Sequence, residues 1–430
     1  MTLTTFFAGL LPLLSWALLL AELALALPIG YLTVVTAAAL LTRLPSQATA
    51  SAPPSSTTEP LRFVVLIPAH NEESVIETLL ASLQQLAYPR SHYQVYVIAD
   101  NCTDDTASLV RSTGWASVYE RCDLQRRGKG YALNWALTRL AEDGVSYDAC
   151  VFLDADAVVE PSFLQALEQA LRAGLARGED LQALQARNTV LNASASPGTA
   201  LRWLALSLMN HVRPLGRTRL GASSTLTGNG MCLTRALLER YPWEAFSRGE
   251  DYEYYLHLVE QGIYVRYVPE AIVRSQMPLR FAQMRSQDLR WEAAEANTSA
   301  LKRASRLLRA GLQAGDWRRS DWRRGDWRRL EAVAELLTPP LSVLLAGTTL
   351  VLLASLLLRW PPAMVLALLL LLGLSVYVLS PLALLDPPKG IYRAFFFAPV
   401  FVLWKLWVYL VLRQSQRQQR DWLRTDRTPA

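Results

Sequence analysis

The sequence predicts an α/β domain with a mostly parallel sheet, held between apolar helices at both ends of the chain. Three observations lead there. Short apolar runs alternate with helical spacing from Arg62 onward, the pattern of strand–helix units that build a parallel sheet covered on both faces. Stretches almost free of charge flank this region, at residues 6–41 and again at 340–358 and 361–385. A bilayer core calls for roughly 20 apolar residues as helix. The chain has 430 residues and 51% hydrophobic content, enough for a large core and more than one domain.

The elements follow in order. Residues 6–41 carry one charge, Glu22, and as a single helix would run about 54 Å at ~1.5 Å per residue. That exceeds a hydrocarbon core of about 30 Å, so Pro28 and Gly30 could split the segment, or one span could follow an interfacial piece. No basic residue precedes Phe6, which argues against a cleaved signal peptide. Residues 44–61, rich in Pro, Ser and Thr, read as a linker. Strands are expected at 63–67, 93–99, 116–120 and 149–153, with helices at 72–86, 104–112 and 130–141 between them and another opening at Pro161. Past Val190 the pattern loosens: helix at 200–210, a tight turn at 227–230, helix at 251–261 closed by Gly262, strand at 263–268 and helix at 279–296.

Residues 316–330 repeat Asp-Trp-Arg-Arg three times at a period of five, which does not match the ~3.6-residue helical turn. Trp with Arg suits a membrane interface; a tandem duplication in a surface linker accounts for it equally. In the apolar segment 391–412, Lys405 sits between Trp404 and Trp407. A lysine in mid-span costs roughly 2.5–3.5 kcal/mol, so this segment reads as interfacial. The expected division is an N-terminal transmembrane part at 1–43, the linker at 44–61, the α/β domain at 62–305, the repeat linker at the membrane interface at 306–333, C-terminal transmembrane and interfacial helices at 334–412, and a basic tail at 413–430. With a net charge of +6 and cytoplasmic loops favouring Lys and Arg, the domain and tail are expected to face the cytoplasm of a multi-pass inner-membrane protein, in contact with membrane lipids. No nucleic-acid motif accompanies the basicity, so nucleic acid is not an expected partner.

The chemistry-bearing residues sit where strands end. In an open α/β sheet, ligands bind beyond the carboxyl ends of strands, and three expected strands end on His70-Asn71-Glu72, Asp100-Asn101 and Asp154-Ala155-Asp156. The alternate carboxylates of Asp154 and Asp156 can both reach one hard cation, and Mg²⁺ takes one or two carboxylates plus substrate phosphates. The four cysteines (Cys102, Cys122, Cys150 and Cys232) and four histidines show no metal spacing, which favours Mg²⁺ or Mn²⁺ over Zn²⁺. Glu250 and Asp251 open a helix; acids there stabilise it by about 0.3–1 kcal/mol whatever else they do, and one could serve as general base. Lys129, in Arg127-Gly128-Lys129-Gly130, could meet a phosphate, although the P-loop spacing is absent. Gln287, Arg290 and Trp291 share one helical face. The Asp-x-Asp pair also fits a haloacid-dehalogenase-like phosphatase, where the first Asp is a nucleophile, but that motif closes the first strand of its domain. A nucleotide-sensing membrane protein without catalysis is a further alternative.

In combination, Val65-Leu66-Ile67-Pro68-Ala69-His70-Asn71-Glu72-Glu73, Ile98-Ala99-Asp100-Asn101-Cys102-Thr103-Asp104-Asp105-Thr106, Arg126-Arg127-Gly128-Lys129-Gly130-Tyr131-Ala132-Leu133, Gly249-Glu250-Asp251 and Gln287-Asp288-Leu289-Arg290-Trp291 resemble the family 2 glycosyltransferases of GT-A fold over roughly residues 62–300. The bacterial exopolysaccharide type is the nearest in pattern. The resemblance implies a Rossmann-like nucleotide-sugar-binding domain and an inverting, metal-dependent transfer from a nucleotide sugar, usually a UDP-sugar, to a lipid-linked or polysaccharide acceptor. A glycolipid-forming transferase is the alternative within the class. By the same resemblance Pro68, His70, Glu72, Asp100, Lys129 and Asp154 bind the nucleotide sugar, with Asp100 nearest the uracil. Asp154 and Asp156 hold the metal, Asp251 is the base, and Glu250, Gln287, Arg290 and Trp291 bound the acceptor side. Gly249 stands where Thr is common, and Glu292-Ala293-Ala294 follow Trp291 where processive synthases carry Gly. Processive and single transfer both remain open.

Overall fold

The computed structural model describes residues 3–41, 59–279, 300–313 and 327–408. Eight strands form one sheet: β1 (Phe63–Ala69), β2 (Tyr93–Asp100), β3 (Ser117–Arg121), β4 (Ala149–Phe152), β5 (Ala157–Val159), β6 (Ala183–Val190), β7 (Met231–Thr234) and β8 (Val265–Ser275), in the order β3-β2-β1-β4-β7-β6-β8-β5. The apolar run of β1 has no polar face to show water, and it takes a central place, parallel to β2 from Phe63↔Tyr93 and to β4 from Phe63↔Ala149. Successive side chains point to opposite faces of a strand. Phe63, Val65 and Ile67 accordingly enter one core with Leu79, Leu83, Phe163 and Leu167, while Val64 and Leu66 enter the other with Leu133, Trp243 and Tyr254.

The expected parallel arrangement holds for β3-β2-β1-β4 and recurs only in the β6–β8 pair. β7 runs antiparallel to both β4 and β6, β8 is parallel to β6, and β5 is antiparallel to β8. The reversal starts at Thr227–Gly230. Gly228 and Gly230 lie at φ 75° and 76°, backbone that glycine adopts without steric cost, and the Gly230 amide donates to Phe152 O of β4 at 2.9 Å. Polar residues in β6 (Gln185, Arg187, Asn188) hide a buried strand from a reading based on apolar runs.

Residues 3–40 form one helix, Leu3–Leu40; Pro28 and Gly30 lie inside it and do not divide it. Its part Leu14–Leu40 and the helix Pro361–Leu384, 27 and 24 residues, are long and apolar enough to cross a membrane. The helices Trp327–Leu337 and Leu341–Leu357 meet at a 71° bend and make a third span if the pair counts as one; Pro339 and Pro340 sit at the break, where proline ends a helix. The N-terminal helix and Pro361–Leu384 approach closely at Gly373, where a Cβ would come within 2.8 Å of Thr33 Oγ1. Small residues permit such approach between membrane helices. Beyond Leu279, the helix expected at 279–296 lies outside the described residues, as do the first two copies of the repeat and the basic tail.

Gly130, in the helix Lys129–Glu142, has no room for a side chain: a Cβ there would collide with the Ala245 carbonyl oxygen. Gly130→Ala is expected to destabilise the domain by about 1–3 kcal/mol, the usual cost of overpacking. Thermal unfolding of the purified variant checks this, and an unchanged midpoint contradicts the packing described.

Candidate active site

The site is built at the carboxyl ends of β1, β2 and β4. β1 lies between β2 and β4, so at ~4.8 Å per strand the ends of β2 and β4 are about 10 Å apart. Pro68 is the penultimate residue of β1, and His70 follows the strand with its Nδ1 2.7 Å from Asp100 O. Asn71 and Asn101, each just past a strand end, take φ 57° and 52°, left-handed backbone that Asn tolerates better than most residues. Their side chains tie the loops: Thr103 N donates to Asn71 Oδ1 at 2.7 Å, and Asp123 N to Asn101 Oδ1 at 2.9 Å. The Glu72 amide donates to Thr106 Oγ1 at 2.9 Å.

Asp100 is paired with a residue the motifs did not single out. Arg121 Nη1 donates to Asp100 Oδ1 at 2.6 Å, and both side chains are buried. Burial pushes the Asp100 carboxyl up, and Arg121 opposes that shift. The pair follows from strand register, which sets Asp100 opposite Arg121; the expected strand stopped one residue short of it. Arg121 Nη2 also donates to Asp123 Oδ2 at 3.0 Å and Arg126 O at 2.7 Å, which fastens the loop that delivers Gly128 and Lys129.

Lys129 is the hub of a second cluster. Its ammonium donates to Asp154 Oδ1 at 2.5 Å and to Gly228 O at 2.9 Å, and lies 3.8 Å from Glu250 Oε1. Gly228 separates Lys129 from Asp251: a Cβ there would sit 2.9 Å from Asp251 Oδ2 and 3.3 Å from Lys129 Nζ. Asp251 Oδ1 accepts the Tyr252 amide at 2.8 Å. Asn229, the next turn residue, accepts the Asp154 amide at 3.2 Å and donates through Nδ2 to Ser275 Oγ at 3.0 Å. The turn was legible in the sequence; the contacts it closes, between residues about a hundred positions apart, were not.

These neighbours set the protonation. Burial pushes the Glu250 carboxyl up to about 8, with the adjacent Asp251 adding to the shift and Lys129 opposing it. Burial likewise raises Asp251, against Lys129. Burial by itself would lower the Lys129 ammonium, but Asp154, Glu250 and Asp251 outweigh it and hold it above its ordinary value. A carboxylate kept above its usual range is a better proton acceptor than a solvated one.

The structure thus brings Lys129, Asp154, Glu250 and Asp251 together, and His70, Asp100 and Glu72 around the neighbouring strand ends. Asp156 follows Asp154 across a turn closed by Ala157 N donating to Asp154 O at 3.0 Å. Among the described residues, no three His, Cys, Asp or Glu side chains gather as a metal cage. Asp154 and Asp156 fit instead a site that diphosphate oxygens complete, as Mg²⁺ and Mn²⁺ chemistry allows. Gln287, Arg290 and Trp291 lie outside the described residues.

A cavity of about 290 Å³ opens elsewhere, lined by the 190–195 turn after β6, Trp203, Arg274, Asp386 and Pro388. It sits where the α/β domain meets the segment that follows Pro361–Leu384.

Comparison with known proteins agrees with this architecture. The mannosyltransferase PcManGT from Pyrobaculum calidifontis, solved with GDP-Man and Mn²⁺, superposes with a TM-score of 0.53 at 20% identity, covering 92% of this chain and 99% of that one; this is a likeness of fold. The probable glycosyltransferase YdaM of Bacillus subtilis is 27% identical over 233 residues, 53% of each chain. The beta-monoglucosyldiacylglycerol synthase of Nostoc is 31% identical over 219 residues, 49% of this chain and 44% of that one. A probable glucomannan 4-beta-mannosyltransferase of Arabidopsis thaliana is 26% identical over 243 residues, 54% of this chain and 43% of the plant protein. The chain thus spans about half the length of the curated relatives it matches. A family model described as glycosyltransferase like family 2 matches residues 60–294, more than half of the chain and nearly the whole α/β domain, and the chain belongs to that family.

Proposed function

We propose that the protein is an inverting, metal-dependent membrane glycosyltransferase that moves a sugar from a nucleotide sugar, a UDP-sugar, to a membrane-held acceptor in exopolysaccharide or cell-envelope glycan synthesis. One observation carries the reading: Asp154, bonded to the Lys129 ammonium, and Asp251, on the other side of Gly228, are distant in sequence and meet at one strand-end rim. The nucleotide lies along the ends of β1 and β2, by His70, Glu72 and Asp100, with its diphosphate over Asp154 and Asp156. Asp154 and Asp156 would hold a divalent ion, which would supply Lewis-acid stabilisation of the leaving diphosphate. The acceptor hydroxyl attacks the anomeric carbon from the opposite side, the glycosidic bond forms as the bond to the diphosphate breaks, and Asp251 takes the hydroxyl proton. Lys129 offsets the negative charge that Asp154, Glu250 and Asp251 concentrate here, and Glu250 borders the acceptor.

The two apolar spans support a membrane-held acceptor. A glycolipid product is the second reading, favoured by the Nostoc relative, which by its name acts on a diacylglycerol lipid. The phosphatase alternative loses ground because β4, after which Asp154 lies, is the fourth strand in sequence. The basic residues around the domain support a cytoplasmic orientation.

Purified protein given a panel of nucleotide sugars with Mg²⁺ or Mn²⁺ is expected to release nucleoside diphosphate with one of them, and chelation to abolish the release; product mass identifies sugar and acceptor. Phosphate release without nucleoside diphosphate overturns the assignment. Asp251→Asn is expected to lower turnover about 10²–10⁴-fold, the range for a lost general base, while UDP binding persists in calorimetry. Unchanged turnover removes Asp251 from that role.

The raised carboxyls give a pH signature. Deprotonation creates the base, so kcat/KM rises with pH, and its ascending limb lies above the ordinary carboxylate range because both groups are shifted upward. Glu250 and Asp251 titrate as a pair. In Glu250→Gln only one ionisation is expected to remain, at the lower end of the wild-type limb. An unaltered pH–rate profile contradicts the coupling.

A further inference from the structure

Asp251 stands in the first turn of the helix Glu250–Glu260. Tyr255 follows at i+4, on the same helical face, and its hydroxyl accepts from Arg217 Nη2 at 3.1 Å. Arg217 holds Glu331 with two bonds, Nε to Oε1 at 2.6 Å and Nη2 to Oε2 at 2.9 Å, and its side chain is 1% exposed. From the N-terminal apolar helix, the Tyr31 hydroxyl lies 2.6 Å from Glu331 Oε1 and 2.9 Å from Glu335 Oε2. Arg213 then links Glu335, at 3.1 Å, to the Tyr377 hydroxyl of Pro361–Leu384, at 2.7 Å. Two arginines balance two glutamates, and the chain of contacts runs without a break from both apolar spans to the helix bearing Asp251.

Two further contacts lock the same arrangement. The backbone carrying Arg217 approaches the N-terminal helix so closely that a Cβ at Gly216 would collide with the Val35 carbonyl oxygen. Arg329 donates to Val259 O at 3.3 Å and Glu260 O at 3.2 Å, bonding to carbonyls at the helix C-terminus. Glu331 and Arg329 are neighbours on Trp327–Leu337, so one helix grips the Asp251-bearing helix at its end and, through Arg217, at its middle.

We infer that Arg213, Arg217, Glu331 and Glu335, with Tyr31, Tyr255 and Tyr377, are a positioning network for the transfer reaction: they set where Asp251 stands from the membrane side of the molecule. The inference rests on Asp251 being the base. None of these residues reaches Lys129 or Asp154; they act through the helix that carries the base. Bidentate Arg–carboxylate pairs constrain direction as well as distance, and a bonded, buried cluster specifies one arrangement of the elements it joins. A small displacement of a reacting group costs up to about a hundredfold in rate.

The test measures kcat, donor KM, UDP affinity, the pH–rate profile and the thermal midpoint of the full-length protein in lipid nanodiscs. Tyr255→Phe deletes only the oxygen that joins Arg217 to the helix. It is expected to lower kcat about tenfold or more, with donor KM and UDP affinity kept and the acid limb of the profile moved, because Asp251 and Glu250 no longer sit equally deep. Arg217→Lys, which keeps the charge and loses the fork, is expected to act in the same direction. Unchanged kcat and profile in both variants overturn the inference, and so does a raised donor KM at constant kcat. Glu331→Gln strands a buried cation and is expected to lower the thermal midpoint as well; Tyr255→Phe keeps the test decisive if that variant fails to fold. Asp251→Asn in the same assays separates the two ideas: full turnover there refutes the base assignment itself, whatever Tyr255→Phe does.

Discussion

Charge balance around Lys129 is the constraint on which the rest of the site depends. Three carboxylates, Asp154, Glu250 and Asp251, converge on one buried ammonium. Lys129 opposes the upward shift that burial gives Glu250 and Asp251, so without it both carboxyls would sit higher still. Burial raises Glu250 and Asp251, and the neighbouring carboxylates add to the shift. On the proposed reading, proton acceptance and diphosphate handling come from one electrostatic arrangement. Gly228 belongs to it as much as the charges do, since any side chain there would push Lys129 and Asp251 apart.

Much of this was legible in the sequence because chemistry and topology coincide: the apolar runs located β1, β2 and β4, and the polar residues after them are the ones the fold gathers. What stayed hidden depends on pairings between distant segments. Arg121 matters because register sets it beside Asp100, and nothing local marks it. β6 was hidden by its own polar side chains, which serve the site: Gln185 accepts the Thr227 amide and donates to Asn229 O. The antiparallel half of the sheet followed from a turn whose glycines were visible while its direction was not.

The charged residues of the segment before Leu341–Leu357 show the same limit. In sequence, Arg328 and Arg329 belong to a repeat that reads as a membrane-interface element or a surface linker, and nothing singles out Glu331 or Glu335. In the fold, Arg328 lies 4.5 Å over the Tyr264 ring, Arg329 closes the Asp251-bearing helix, and the two glutamates bind Arg213 and Arg217. Removing one partner of a buried ion pair leaves an uncompensated charge, at a cost of about 3–5 kcal/mol. Such pairs are therefore a strict way to hold an α/β domain in one orientation against apolar helices.

The most direct measurement is a structure of the full-length protein with UDP and Mn²⁺, the ion located by anomalous scattering. The nucleotide is expected along the ends of β1 and β2, the ion against Asp154 and Asp156, and Asp251 facing the open side where the anomeric carbon would sit. Nucleotide bound away from that rim, or an ion held elsewhere with Asp251 turned from it, would contradict the central claim that Lys129 organises one site for both diphosphate and base.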